Sequence, residues 1–256
     1  MELKLDYIDK DEKYIDFTQK NIDLINFCLS VDSSYRNAFD EEYEGSSAEL
    51  IKKHWKFDEE TITKICQQID KENSTHLAVS GHKKDAVKDE NGYSENNKGV
   101  IKVVKRIMKT PNIETRIQNA DAELVNEIAG AVDGVSKFSF ASKFCTYVSR
   151  YKFENNNDYA IYDKVISEIL PYYESIYLGK SEHIKKGRKY ISSTMERDFA
   201  NVKKYGEYNA LIGKIIKAIN DKKKLEIDRK TFDRILWYYY KGDEKLRQDA
   251  LNEIPL

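Results

Sequence analysis

The chain is poor in the residues that interrupt helices or build metal and disulfide sites. It has only three prolines among 256 residues, and its three cysteines and four histidines are scattered, without a CxxC pair. The usual zinc spacings are therefore missing, and no structural metal is expected. Isolated cysteines are typical of the reducing cytoplasm, which is the compartment we expect for this protein.

Long apolar runs and an excess of charge of either sign are also missing. No stretch approaches the roughly 18 apolar residues of a membrane helix, and the amino-terminal MELKLDYIDKDEKYID is charged from its start, unlike a secretion signal. The formal net charge is −1, so any nucleic-acid contact must come from a local basic patch. Walker A, GxGxxG and HExxH motifs are absent, and we expect neither a cofactor nor a membrane partner.

Helical periodicity is what the sequence does contain. Hydrophobic residues make up 40% of the chain, and Tyr14, Phe17, Ile22, Ile25 and Leu29 recur on one helical face. Similar patterns follow through most of the chain and predict an all-α protein, with THLAVSG at 75–81 as the best strand candidate. The polar stretch 80–99 predicts a long loop. It divides an amino-terminal helical region, 1–99, from a helical core, 100–256, although the two lobes can interleave.

The segment from Phe138 to Leu170 contains a lysine and an aspartate in a suggestive order. A predicted helix over 120–132 and a link over 133–138 precede a second helix, which carries Lys143 within FASKFCTYV. An apolar stretch, YAIYD, then ends at Asp163, where another helical pattern begins. Taken singly, a helical lysine usually extends its ammonium to solvent and an aspartate at this position usually caps a helix.

Taken together, these residues resemble the helix-hairpin-helix DNA glycosylase superfamily, in particular its 8-oxoguanine DNA glycosylase-like branch, over about residues 100–245. That family has a lysine near the start of the helix after its hairpin and a catalytic aspartate at a later helix start, which Lys143 and Asp163 match. Ser139 and Ala141 stand where the family's hairpin has glycines. Ser139 can cap the helix, whose amino terminus favours an anion such as a DNA phosphate.

The resemblance implies a two-lobed helical bundle that acts on duplex DNA as a monomer. It would flip a base out of the stack and excise it, either an oxidised purine-like lesion or a modified base of foreign DNA such as phage DNA. Asp163 would stabilise the positive charge that develops on the sugar. Lys143 would attack C1′ and form a Schiff base, which adds AP-lyase activity. If Lys143 points away, Asp163 alone can activate water.

Aromatic and basic side chains supply candidates for the remaining DNA contacts. The candidate base-pocket residues are Phe140, Phe144, Tyr172, Trp237 and Tyr238. The candidate backbone contacts, besides Ser139, are Lys185, Lys186, Arg188 and Lys189 of HIKKGRKY. Two further basic runs, KVVKRIMK and NDKKKLEIDRK, have the same charge pattern. Such aromatic residues also pack in helical cores, and such basic runs also form solvated faces.

Two other interpretations remain open at the level of sequence. The chain can be a non-catalytic helical protein that binds DNA or a protein partner, in which case Lys143→Gln and Asp163→Asn would leave its function intact. It can also be an unrelated helical protein in which Lys143 is exposed and Asp163 is merely a cap.

Overall fold

The structure is a computed structural model that describes residues 4–31, 43–73, 75, 77, 98–132, 137–179, 204–242, 244, 247 and 249. Within these ranges it contains ten α-helices and no β-strand, which confirms the predicted all-α class. A single antiparallel bridge there joins Tyr7 to Ile15. Of the predicted strand at 75–81, only Thr75 and Leu77 are described, and neither is in a strand. No helix in the described ranges is long and apolar enough to cross a bilayer.

The helices follow the apolar periodicity of the sequence, with polar side chains at several of their starts. In chain order they are α1 (Gln19–Val31), α2 (Ser47–His54), α3 (Glu59–Asn73), α4 (Lys98–Lys109), α5 (Ile113–Gln118), α6 (Ala122–Ala129), α7 (Phe138–Phe153), α8 (Lys164–Leu178), α9 (Lys204–Lys223) and α10 (Arg229–Lys241). Ser46, Asp121, Asp163 and Asp228 each accept a backbone N–H of the first turn. These caps satisfy donors that would otherwise be unpaired at a helix start.

The chain forms two compact units. One unit comprises residues 41–162 and 191–209 and is called here the Lys143 unit. The other comprises residues 1–40, 163–190 and 210–256 and is called the Asp163 unit. Each is described below by itself.

The Lys143 unit is built around α7. This helix packs against α2, α3, α5 and α6, and every residue from Phe140 to Ser149 is buried. A helix that is buried on all sides belongs to the centre of a core. The side chain at position 143 therefore projects from a central element whose backbone is held on every side.

Aromatic rings hold the Asp163 unit together, where α10 packs against α1 and α8. Phe17, which precedes α1, stacks on Phe232 of α10 with ring centroids 5.3 Å apart. It also meets Tyr173 of α8 edge-on at 5.8 Å. The Tyr173 hydroxyl donates to the Ile15 carbonyl at 2.8 Å, so this buried ring keeps its polar group paired. This packing fixes the axis of α8, the helix that begins at Asp163.

Candidate functional site

Lys143 lies in the second turn of the central helix α7 and is buried, with 6% of its surface exposed. Its ammonium donates to the Ser139 hydroxyl oxygen at 2.9 Å, one helical turn earlier. The expectation that Ser139 caps the helix is wrong, because α7 begins one residue earlier and Lys137 occupies the N-cap position without a side-chain cap bond. Ser139 thus lies inside the first turn of α7. Residues four apart share one face of a helix, which explains the contact between Ser139 and Lys143.

A backbone hydrogen bond joins the N-cap residue of α7 to the end of α6. The Lys137 N–H donates to the Ala129 carbonyl at the end of α6, at 3.0 Å. Burial lowers the pKa of Lys137, and the negative charge of Asp70 partly offsets this effect. The predicted helix over 120–132 and link over 133–138 correspond to α6, which ends at Ala129, and a connection of which residues 133–136 lie outside the described ranges.

The stretch that leads to Asp163 has no partner strand, and side chains satisfy its backbone instead. The Tyr205 hydroxyl donates to the Ala160 carbonyl at 2.7 Å, and the Tyr208 hydroxyl donates to the Ile161 carbonyl at 3.0 Å. Unpaired backbone groups in a buried segment are costly, so these bonds help to hold the segment in place. The predicted apolar approach to Asp163 is therefore a real feature, although it is not a strand.

The same stretch is bonded to the helix that carries Lys143. The Tyr162 N–H donates to the Ser142 hydroxyl at 2.9 Å, and Ser142 directly precedes Lys143 in α7. The Tyr162 ring also lies 5.9 Å from the ring of Phe138, at the start of α7. The last residue before Asp163 is thereby fixed to the first turns of α7.

Asp163 occupies the N-cap position of α8 and is buried, with 6% of its surface exposed. Its backbone is extended, at φ −122° and ψ 141°, and its Oδ1 accepts the Val165 N–H at 2.7 Å. The cap bond and the positive end of the helix dipole both favour a carboxylate at this position. The predicted helix-start aspartate is confirmed.

A lysine that the sequence did not single out completes the surroundings of Asp163. Lys241, at the end of α10, has its ammonium 3.3 Å from the second carboxylate oxygen, Oδ2. The Lys241 side chain is 45% exposed, whereas that of Asp163 is 7% exposed. The contact joins residues 78 positions apart, so no local sequence motif predicts it.

Trp237 lies close to this pair, one helical turn before Lys241. The Lys241 ammonium is 5.2 Å from the centre of the indole ring, which is a cation–π distance. The structure therefore brings Asp163, Lys241 and Trp237 together, and these three residues are called here the Asp163 cluster. A buried carboxylate, a half-exposed ammonium and a partly exposed indole can contact a sugar, a phosphate and a base, respectively.

The other candidate base-pocket residues lie elsewhere. Phe140, Phe144 and Tyr238 are fully buried, with no exposed surface, and Phe140 and Phe144 stack on each other at 6.2 Å. Their rings fill the cores of their units in this structure. Tyr172 is 39% exposed and stacks on Tyr14 at 4.9 Å.

Tyr172 lines a cavity of about 450 Å³ together with Tyr14, Tyr239 and Tyr240. Burial, followed by the charge of Tyr172, raises the pKa of Tyr14 to about 12. Tyr172 lies nine residues beyond Asp163 on α8, which is about 13 Å along the helix axis. Tyr172 therefore does not belong to the Asp163 cluster.

The candidate backbone contacts fall in different places. Lys185, Lys186, Arg188 and Lys189 lie outside the described residues, whereas Ser139 contacts Lys143 as given above. The run KVVKRIMK forms most of α4. Across the described ranges, no group of three or more His, Cys, Asp or Glu side chains could hold a metal ion.

Comparison with known proteins gives one match. The family model HI_0787_N, described as an N-terminal domain, matches residues 33–158, just under half of the chain. The matched range includes Lys143 and ends before Asp163. No curated protein and no solved structure matches the chain.

Proposed function

We propose that the protein is a DNA N-glycosylase of the helix-hairpin-helix type that flips and excises a damaged or modified base. One observation carries the proposal: the segment ending at Asp163 is hydrogen-bonded, through Tyr162, to Ser142 beside Lys143. Lys143 and Asp163 are both buried, Lys143 in the second turn of α7 and Asp163 at the N-cap of α8. The resemblance in sequence assigns the catalytic roles to these two residues.

Asp163 is suited to stabilise the sugar in the transition state. Cleavage of the bond between base and C1′ leaves positive charge on the sugar ring, and a fixed carboxylate lowers the energy of that charge. The cap bond to Val165 and the contact with Lys241 hold the carboxylate in one orientation before substrate arrives. The second oxygen, Oδ2, is the one turned toward Lys241 and is the one we assign to the sugar or to an attacking water.

Lys143 is suited to act as the nucleophile. Its unprotonated Nζ would attack C1′, the C1′–N bond would break with its electrons on the base, and the base would take up a proton. Ring opening then gives a Schiff base, from which elimination of the 3′ phosphate follows. The Ser139 hydroxyl oxygen lies 2.9 Å from Nζ and can take part in proton transfer.

Trp237 is the aromatic candidate that we retain for the flipped base. Among the candidate base-pocket residues, Trp237 is the one that contacts Lys241, which in turn contacts Asp163. Stacking on an aromatic side chain contributes about 1–3 kcal/mol per base and tolerates different bases. The Asp163 cluster is therefore compatible with excision of a modified base, and it does not select one particular base.

The direct test is release of a free base. Oxidised, alkylated and phage-modified DNA would be incubated with the purified protein, and released bases would be identified by mass spectrometry. Asp163→Asn should lower the rate by about 10²–10³-fold, which is the usual cost of removing one group that stabilises transition-state charge. The variant keeps its helix cap, because asparagine caps helices as well as aspartate does.

Asp228→Asn is the matched control. Asp228 caps α10 in the same unit and accepts the Thr231 N–H at 2.7 Å, as Asp163 caps α8. The control should release base at the wild-type rate. No release by folded wild-type protein from any of these DNAs would reject the glycosylase and favour the non-catalytic binding protein.

Lys143 has its own readout. Borohydride reduction should trap a covalent complex between wild-type protein and DNA, and Lys143→Gln should abolish it. Base release by Lys143→Gln without trapping would assign water activation to Asp163 and a monofunctional enzyme. Equal trapping by the variant and wild type would show that another amine forms the Schiff base.

A further inference from the structure

A basic groove follows one face of α4 in the Lys143 unit. The groove has a volume of about 450 Å³, and four cationic side chains, Lys102, Lys105, Arg106 and Lys109, line it. Among the described residues, the one acidic residue on its wall is Glu127 of α6. The name basic groove is used below for this surface.

The sequence of α4 dictates that these four cations lie together. They occupy positions i, i+3, i+4 and i+7, which share one face of a helix. The opposite face is fully committed to the core, where Val100, Val103, Val104 and Ile107 are buried. The helix therefore cannot rotate to disperse its charges, and the cationic row extends over about 10 Å along its axis.

Most of the positive charge of the groove has no counter-charge among the described residues. Within the described part of the chain, Lys105, Arg106 and Lys109 form no ion pair. The Glu127 carboxylate is instead held by Arg116, whose two terminal nitrogens lie 2.9 and 2.7 Å from its oxygens. This bidentate pair removes the one negative charge that would oppose an anion in the groove.

The helix dipole explains only part of this arrangement. Arg106 and Lys109 lie in the last turn of α4, where a positive charge gains about 0.3–1 kcal/mol from the dipole. Lys102 and Lys105 lie earlier, where this gain has faded. Like charges at these spacings repel one another, so an anion bound in the groove would stabilise the row.

We infer that the basic groove binds the phosphate backbone of DNA outside the site of base excision. Adjacent phosphates of one strand rise by about 3.4 Å along a duplex, so the cationic row matches about three of them. This inference rests on the proposed function, because it takes DNA as the polyanion. It adds a sequence-independent contact surface that would hold the duplex while bases are tested.

The test is the salt dependence of binding to undamaged duplex, measured by fluorescence anisotropy. The variant replaces all four cations by glutamine, a good helix former. Each phosphate contact contributes about 0.9 to the slope of log affinity against log salt, so the slope should become shallower by about 2.7. Between 50 and 200 mM salt, the wild-type affinity should then fall about 40-fold more than that of the variant.

A matched variant keeps the change in net charge but leaves the groove intact. It replaces four exposed lysines of the same unit, Lys52, Lys53, Lys56 and Lys64, by glutamine. Its slope should stay within about 0.5 of the wild-type slope, since long-range effects are screened at these salt concentrations. An equal loss of slope in both variants, or none in the groove variant, would overturn the inference.

The two proposals fail in different measurements. If base release depends on Asp163 while the groove variant keeps the wild-type slope, the groove does not bind DNA, but the protein is still a glycosylase. If no base is released but the slope changes as expected, the groove binds DNA and the protein is a DNA-binding protein without glycosylase activity. Binding of wild-type protein to vesicles containing phosphatidylserine, with an unchanged DNA slope, would reassign the groove to a membrane surface and overturn the inference.

Discussion

Buried tyrosines should make this protein unstable at alkaline pH. Tyr147, Tyr159 and Tyr173 are 8%, 2% and 0% exposed, and burial raises the pKa of each hydroxyl well above 10. In the unfolded chain the same hydroxyls ionise with a pKa near 10. A raised pKa in the folded state means that the stabilisation is complete below pH 10 and is lost as pH rises above it.

The expected loss follows from this linkage. At pH 11, a tyrosine that ionises only in the unfolded state lowers the free energy of unfolding by a little over 1 kcal/mol, and three such residues lower it by about 4 kcal/mol. The total stability of a folded domain is only about 5–15 kcal/mol. A loss of this size would remove much of the free energy of unfolding at pH 11. At pH 8 these groups do not change that free energy.

Urea unfolding followed by circular dichroism between pH 8 and 11 measures this loss, and absorbance at 295 nm reports tyrosinate in the folded protein. Tyr159→Phe should reduce the loss at pH 11 by a little over 1 kcal/mol, since it deletes one buried hydroxyl that ionises only in the unfolded chain. A constant free energy of unfolding from pH 8 to 11 would refute the argument.

Three shorter predictions concern the core and the basic groove. Phe144→Ala should lower the free energy of unfolding by about 3–5 kcal/mol in urea titrations, because it opens a cavity beside the fully buried helix, and a loss below 1 kcal/mol would contradict this packing. Arg116→Gln should weaken DNA binding several-fold in the anisotropy assay, since it releases the Glu127 carboxylate into the groove, and an unchanged affinity would count against the groove. Cys66 and Cys145 are fully buried, and burial raises the pKa of both thiols, so a thiol reagent should modify them only as the protein unfolds, whereas rapid modification of native protein would disprove their burial.

The sequence was sufficient for the features that depend on neighbouring residues. Periodicity of apolar side chains predicted the all-α class, and Asp163 was recognised as a helix start from the pattern that follows it. Both signals are local, because a helical face and an N-cap are defined within a few residues. Ser139 failed as a cap because the helix begins at Phe138, two residues earlier than an N-cap at Ser139 would require.

Features that depend on distant residues could not be read from the sequence. The contact of Lys241 with Asp163 spans 78 positions, and a lysine at the end of a helix looks like any solvated cation. Phe144 and Tyr172 are both aromatic residues on helices, yet one is fully buried and the other borders a cavity. The residue type alone does not tell a buried ring from an exposed one, because burial depends on which elements pack on each face of the helix.

The burial of Lys143 itself is an argument for function. Removing an ammonium from water is costly, and the hydrogen bond to Ser139 offsets part of that cost. An apolar side chain of similar length needs no such partner, so Lys143→Met should lower the free energy of unfolding by less than Phe144→Ala one position later. The same substitution should abolish borohydride trapping. Residues that lower stability while supporting activity are typical of catalytic sites, whereas a Lys143→Met protein that loses several kcal/mol would show that this lysine serves the fold.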